Sequence, residues 1–356
     1  MRTCLISESG TRRTPWWTRL AIAVGVLLLL PAAVIVPSVA GPRRGGLSGP
    51  LTILLAGIDP RGTHVKPLAD TIIVAHVPAD RSGVFLFSLP RDLVVWIPPF
   101  PTTGSPGQRA KINAAMALGS PVGGDRYDPA QGYRLLATTV GRVTGLAFDG
   151  GAVIDFGGFK RMVAALGGVE LTVDQEVVSE HLKPDGTRRD LLPQCRLGGN
   201  CLRPYTGPQK TYPKSTTPVR LRPWEALDFV RQRYGLPRSD YDRQRHQRQL
   251  LRAVARQITD PAQLMKVVTA VGDGLTLDDG GHDITDWLIA LKDVDPTAFT
   301  TVTLPGGPVF ENERYLGERF DPAVTRFFAA VKEDRVARYL LAHPKLVDPY
   351  HRARRP

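Results

Sequence analysis

Two groups of residues in this chain have the types and spacing to do chemistry. In the first, Asp59 and Arg61 close one apolar run, Asp70 opens the next, and Arg91-Asp92 end a third after Ser88-Leu89-Pro90. Two carboxylates beside arginines suit Mg2+, a hard cation that often takes one or two carboxylates together with substrate phosphates. Asp and Arg after strands are also ordinary turn and capping residues, so on the residues alone both readings stand. The second group is denser: Arg231, Arg233, Arg238, Arg243, Arg245, Arg248, Arg252 and Arg256, with Asp240 and Asp242 as the acids among them. Arginine's planar fork suits bidentate phosphate binding. Arg243 and Gln247 stand four apart on a predicted helix, so both can face one ligand. Arg245, Arg248, Arg252 and Arg256 follow another stripe, predicted to be solvated surface. Nucleic-acid binding is the competing reading of such a cluster.

Positioning these groups requires a sheet whose strand ends converge, because ligands of open α/β sheets sit outside the strand ends. Leu51 to Ala56, Thr71 to Val77, Val84 to Ser88 and Val94 to Ile97 are short apolar runs bounded by turn residues, and predict strands covered on both faces. Ala79 to Gly83 predicts a hairpin turn. Further strands are expected at Val153 to Phe156 and Val169 to Val173. Helices are expected at Asn113 to Leu118, Pro129 to Val143, Phe159 to Leu166, Trp224 to Arg233, Asp242 to Ile258 and Pro261 to Val271. Residues 175 to 219 are polar and Pro-rich, and predict an insertion over the sheet edge. From about Asp273 the tail holds a helix around Trp287, a strand around Val302 and a helix near Phe327. Strands interleaved with helices predict a three-layer α/β/α domain with a mixed central sheet.

The 356 residues, 42% hydrophobic and 22% charged, fit one large domain with accessories, and a net charge of +12 points to an anionic partner. Arg12, Arg13 and Arg19 precede an uncharged run from Leu20 to Ala40, with Trp16 and Trp17 at its near edge, long enough to cross a bilayer core of ~20 apolar residues. The expected topology places the N-terminus in the cytoplasm and everything after Gly41 outside, which disfavours nucleic acid as a partner. A buried core helix, or a signal peptide cleaved after Ser38-Val39-Ala40, are the other readings of this run. Cys195 and Cys201 share a Gly-rich loop and predict a local disulfide. The chain has no Gly-x-x-x-x-Gly-Lys-Ser/Thr loop, no Gly-x-Ser-x-Gly elbow and no His-Glu-x-x-His helix, which removes the common NTPase, hydrolase and zinc-protease readings.

Ordered blocks carry the argument further. They include Leu54 to Asp59, Ala69 to Ile72, Ser88 to Asp92, Lys111 to Ala115, Ile154 to Phe159, Ala165 to Val169, Glu225 to Arg233 and Asp240 to Gln247. From about Leu51 to Ile258 the chain resembles the LytR-CpsA-Psr family of bacterial cell-wall enzymes. The resemblance implies a transferase that moves a glycopolymer from a polyprenyl-diphosphate carrier to peptidoglycan through a phosphodiester link. It implies Mg2+ at Asp59 and Asp70, diphosphate binding by Arg91, Lys111, Arg231, Arg233, Arg243 and Gln247, and catalytic roles centred on Arg91, Asp70, Arg231 and Arg233. Two positions depart from the family pattern, Leu68 and His246, where arginine is common. The expected organisation is a cytoplasmic tail (1–19), a transmembrane signal-anchor (20–40), a linker (41–50), the catalytic domain (51–258) and an extension of that domain ending in a basic tail (259–356). The enzyme is expected at the cell membrane as a single-pass protein with its catalytic domain outside the cytoplasm. The alternative is a non-catalytic wall-polymer binding or assembly factor with the same fold.

Overall fold

A computed structural model of the chain describes residues 47–60, 66–195, 203–258, 260–295 and 298–348. The predicted transmembrane run lies outside these residues, and among those described no helix is long and apolar enough to cross a membrane. The main sheet has six strands: β1 (Leu51–Ile58), β2 (Ala69–Val77), β3 (Val84–Ser88), β4 (Gly150–Asp155), β5 (Leu275–Asp278) and β6 (Phe299–Val302), in the order β5-β4-β1-β2-β3-β6. β4 runs parallel to β1 and β6 parallel to β3, while the other pairs are antiparallel, so the sheet is mixed. All of β3 is buried, which is why its sequence reads as an unbroken apolar run instead of alternating.

Nine helices are described: α1 (Ala114–Gly119), α2 (Pro129–Thr144), α3 (Phe156–Ala165), α4 (Pro223–Phe229), α5 (Asp240–Gln257), α6 (Pro261–Val271), α7 (Ile284–Leu291), α8 (Val324–Lys332) and α9 (Val336–Ala342). Alternation along the strands sorts the side chains into two cores. Ile53, Ile73 and Leu86 pack with Met162, Phe229, Val254, Val267 and Trp287 of α3 to α7. Leu54, Val74 and Phe87 pack with Met116, Leu136, Phe327 and Leu340 of α1, α2, α8 and α9. The sheet thus lies between two helical layers.

Several expectations need correction. Val94–Ile97 is a strand, but not of the main sheet. It pairs with Gln108–Lys111 in a separate ribbon and leaves Trp96 exposed. The helix expected from Trp224 to Arg233 stops at Phe229, so Arg231 and Arg233 stand on the turn that follows. Strand β4 passes directly into α3 because the Asp155 side chain accepts from Gly158 N at 2.7 Å and caps the helix three residues earlier than predicted. The segment after residue 258 supplies both edge strands, β5 and β6, so it completes the sheet.

The arginine stripe is also misread by periodicity. Arg248 is 2% exposed and donates to Ser88 Oγ and Thr303 Oγ1, both at 3.0 Å, with Asp348 at 3.5 Å. Arg245 pairs with Asp174 at 3.1 Å. Arg252 is half-buried, and of the four only Arg256 is exposed. Helix α5 is covered on this side by β3 and by the segment around Thr303 and Asp348, which a helical period cannot foresee.

Candidate active site

The site begins at a break in register. β1 and β2 pair evenly from Leu51↔Val77 to Gly57↔Thr71, then shift so that Ile58 opposes Ala69. Asp70 is the extra residue of this bulge, a device that re-aims a side chain next to functional sites. Asp59 follows Ile58 directly, so the two carboxylates stand on neighbouring strand ends. Arg91 follows β3 and its Nη1 donates to Asp70 Oδ1 at 2.5 Å. Arg231 Nη2 lies 3.5 Å from Asp59 Oδ2, and its guanidinium covers the Phe156 ring at 4.4 Å.

Asp70, Arg91, Phe156 and Arg231 border a cavity of about 360 Å3. Asp70, Arg91, Arg231, Arg233, Arg243 and Gln247 all line it. Arg243 and Gln247 face it from one side of α5, as their four-residue spacing predicted. Away from the arginines the walls are apolar, built by Ile154, Phe156, Phe159, Met162, Leu250 and Leu251. Asp59 and Lys111 do not line the cavity. Lys111 Nζ sits 3.1 Å from Asp92 Oδ1, one carboxylate removed from Arg91, whose Nε is 3.9 Å from Asp92 Oδ2.

The electrostatics are uneven. Arg243 is buried, paired with Asp240 at 2.7 Å, and burial lowers its proton affinity below the ordinary guanidinium value. Burial acts the same way on Arg91, but Asp70, Asp92 and Asp240 outweigh it and leave its proton held more tightly than usual. The Nε atoms of both arginines are buried without hydrogen-bond partners among the described residues. Unmet donors of this kind are costly in a dry interior.

A polar network that the sequence did not reveal holds the Arg231–Arg233 turn. Asp228 accepts from Ser179 Oγ (2.9 Å), Tyr212 Oη (2.9 Å) and Gln232 Nε2 (2.7 Å), and Gln232 Oε1 accepts from Glu180 N (2.9 Å). Burial raises the Asp228 carboxyl above its ordinary value. The predicted insertion supplies Ser179 and Tyr212, and also Glu180, His181, Pro204 and Tyr205 on the cavity wall, so it covers the cavity. Cys195 of this insertion is disulfide-bonded, while Cys201 lies outside the described residues. Asp240 was visible as an acid within the arginine cluster, but nothing in the spacing marked it as the carboxylate between Arg91 and Arg243.

The two departures from the resemblance fall away from the cavity. Leu68 is 42% exposed and does not line it. His246 is fully buried, stacked on Phe229 at 4.6 Å between ring centres, with Asp174 at 3.6 Å. Lys66, two residues before Leu68, does not line the cavity either, and Arg61 lies outside the described residues.

As a metal site, Asp59 and Asp70 offer oxygen donors on adjacent strand ends. Among the described residues no three His, Cys, Asp or Glu side chains gather to hold a metal. Two carboxylates fit Mg2+ when phosphate oxygens complete its shell, and would not fit a tightly held structural metal.

A mixed sheet thus lies between helical layers, and arginines meet an apolar cavity at its strand ends. The chain belongs to the LytR_cpsA_psr family, whose model matches residues 43–325. It is 28% identical over 229 residues to the polyisoprenyl-teichoic acid–peptidoglycan teichoic acid transferase TagU of Bacillus cereus, covering 64% of this chain and 58% of that protein. It is 26% identical over 261 residues to the cell wall biosynthesis protein LcpA of Corynebacterium glutamicum, covering 68% of this chain and 44% of that one. The match thus spans about half the length of these relatives. Among solved structures it shares the fold of Bacillus subtilis TagV, with a TM-score of 0.54 and 22% identity over 81% of this chain and 98% of that one.

Proposed function

We propose that the protein transfers a glycopolymer from a polyprenyl-diphosphate carrier to peptidoglycan, forming a phosphodiester, with its catalytic domain held outside the cytoplasm by the Leu20–Ala40 run. The observation that carries this reading is the union, in one cavity, of Arg91, Arg231, Arg233 and Arg243 with apolar walls. A diphosphate ester of a long prenyl alcohol has that same division into anionic head and apolar tail. The naming of relatives as wall-polymer transferases supports the same class.

In the reaction an acceptor hydroxyl oxygen attacks the phosphorus that bears the polymer. A new P–O bond forms, the bond to the bridging oxygen breaks, and polyprenyl phosphate leaves carrying the proton released by the acceptor hydroxyl. Arg91 and Arg243 line the cavity from β3's end and from α5, and Arg231 and Arg233 bring two further forks from the adjoining turn, together stabilising charge that develops on the leaving phosphate. The Asp228 network keeps that turn in place. Asp59 and Asp70 would hold Mg2+, which when bound neutralises phosphate charge. Leu68, away from the cavity, gives no support to a non-catalytic reading.

Incubating the full chain with labelled polyprenyl-diphosphate-linked glycopolymer and peptidoglycan oligomers should yield labelled glycan linked through phosphodiester. Binding of the carrier without turnover under any divalent-cation condition would replace this reading by that of a wall-polymer binding factor.

A further inference from the structure

Beyond the cavity, exposed aromatic rings form a strip around Lys111, which ion-pairs with Asp92 beside Arg91. Trp96 is 56% exposed, Phe310 59% and Tyr315 40%. Register places them together. In the ribbon Val94–Ile97 with Gln108–Lys111, Val94 opposes Lys111 and Trp96 opposes Arg109, so all four side chains share one face. A second hairpin, Gly306–Glu311 with Arg314–Phe320, docks on that ribbon. Glu318 N donates to Asp92 O at 2.8 Å, and a Cβ on Gly317 would come within 2.3 Å of Asp92 O and 2.6 Å of Val94 Cγ2, so only glycine permits the approach. The hairpin's Phe310 and Tyr315 are cross-strand partners in edge contact at 5.8 Å, and Lys111 Nζ stands 5.0 Å over the Tyr315 ring. Tyr315 and Tyr241 both donate to Glu318, at 2.9 and 3.1 Å, which ties the hairpin to the helix that carries Arg243. Trp96 lies against the backbone of Gly107, where a Cβ would meet its ring at 2.6 Å. Its outer face is left open.

We infer that this strip, Phe310–Tyr315–Lys111–Arg109–Trp96, is the binding site of the acceptor, a carboxylate-bearing saccharide strand. The inference rests on the transferase reading and deepens it. Sugar rings present apolar C–H faces that lie flat on aromatic rings, while Lys111 and Arg109 between the rings suit carboxylates carried by the strand. The strip is continuous with the cavity through Lys111, Asp92 and Arg91. A strand lying along it would bring a hydroxyl toward the diphosphate from the side opposite the apolar walls. Aromatic rings mixed with cations also occur where proteins rest on lipid headgroups, but a membrane-seating surface has no need of an ion-pair link from Lys111 through Asp92 to Arg91.

The test uses the full chain and its Trp96→Ala, Phe310→Ala and Trp96→Phe variants, all at exposed positions outside the diphosphate machinery. The probe is a soluble peptidoglycan glycan oligomer of alternating N-acetylglucosamine and N-acetylmuramic acid. Each alanine variant should weaken oligomer binding about three- to ten-fold, the scale of one aromatic contact, and Trp96→Phe should recover most of it. The acceptor KM should rise by a similar factor, with kcat and affinity for the diphosphate carrier unchanged. If transfer is never detected but oligomer binding depends on Trp96, the saccharide site stands and the transferase reading falls. If transfer proceeds with an unaltered acceptor KM in the alanine variants, the inference is overturned and the transferase reading stands. Loss of binding to phosphatidylglycerol vesicles with oligomer binding intact would likewise overturn it, in favour of a membrane contact.

Discussion

Replacing Arg243 by Gln separates its part in the fold from its part in the chemistry. Arg243 is buried and pairs at 2.7 Å with Asp240 Oδ1, which also lies 3.9 Å from Arg91 Nε, while Asp240 Oδ2 accepts from Gln244 Nε2 at 3.1 Å. Removing one partner of a buried pair costs about 3–5 kcal/mol, because the other charge is left uncompensated. Here Arg91 and Gln244 retain part of the hold on Asp240, so the cost belongs near ~3 kcal/mol. That predicts a fall in Tm of roughly 6–12 °C at about 2–4 °C per kcal/mol. Transfer should fall by about 10²-fold or more, as for loss of one charge-stabilising donor. The double variant Arg243→Gln with Asp240→Asn removes the orphaned carboxylate and should recover most of the Tm without recovering transfer. Melting followed by fluorescence and transfer from a labelled diphosphate carrier measure the two effects. Recovery of transfer together with Tm in the double variant would refute the assignment and make Arg243 a structural residue.

The remaining predictions follow the same logic. Asp59→Ala and Asp70→Ala should each lower transfer in a way partly restored by high Mg2+, whereas Arg231→Lys and Arg233→Lys, which keep charge but lose the fork, should lose activity that Mg2+ does not restore; identical Mg2+ responses in both sets would count against the metal assignment. Arg248→Met should destabilise by about 3–5 kcal/mol by stranding Asp348, and Arg256→Ala should stay within about 0.5 kcal/mol of the parent, both read by denaturant unfolding. Burial lowers the proton affinity of His76 and His246 below the ordinary value of 6.5. The unfolded chain therefore binds protons first as pH falls, and stability present above about pH 6.5 is lost below it, by at most about 1.4 kcal/mol per pH unit per histidine. The slope of Tm between pH 7.5 and 5.5 should flatten in His246→Gln, and an unchanged slope would show that His246 does not titrate in this way.

The chemistry was legible in the sequence to the extent that it was local. Asp70 and Arg91 stand beside strands that apolar runs marked within a few residues, and the Arg243–Gln247 pair followed from helical spacing. The shorter helix before Arg231 was not legible, since Glu225 to Arg233 keeps an apolar pattern through the residue where hydrogen bonding ends. The ribbon at Val94–Ile97 failed for a related reason: a four-residue apolar run looks the same whether a sheet or a neighbouring hairpin receives it.

By itself the sequence determined most strands and helices between Leu51 and Val271, the acids and arginines at strand ends, and the family blocks from Leu51 to Ile258, all of which depend on neighbours in the chain. Only the tertiary structure decided that Arg248 is core, although it lies on α5 in a stripe of arginines whose spacing predicts solvated surface. The reason is that burial of an arginine depends on what packs over its helix face, and here that cover is Ser88, Thr303 and Asp348, from 55 or more residues away in sequence. Contacts of that range also set Asp240 between Arg91 and Arg243, closed the sheet with β5 and β6, and brought Tyr315 over Lys111. None of these leaves a periodic mark in the chain.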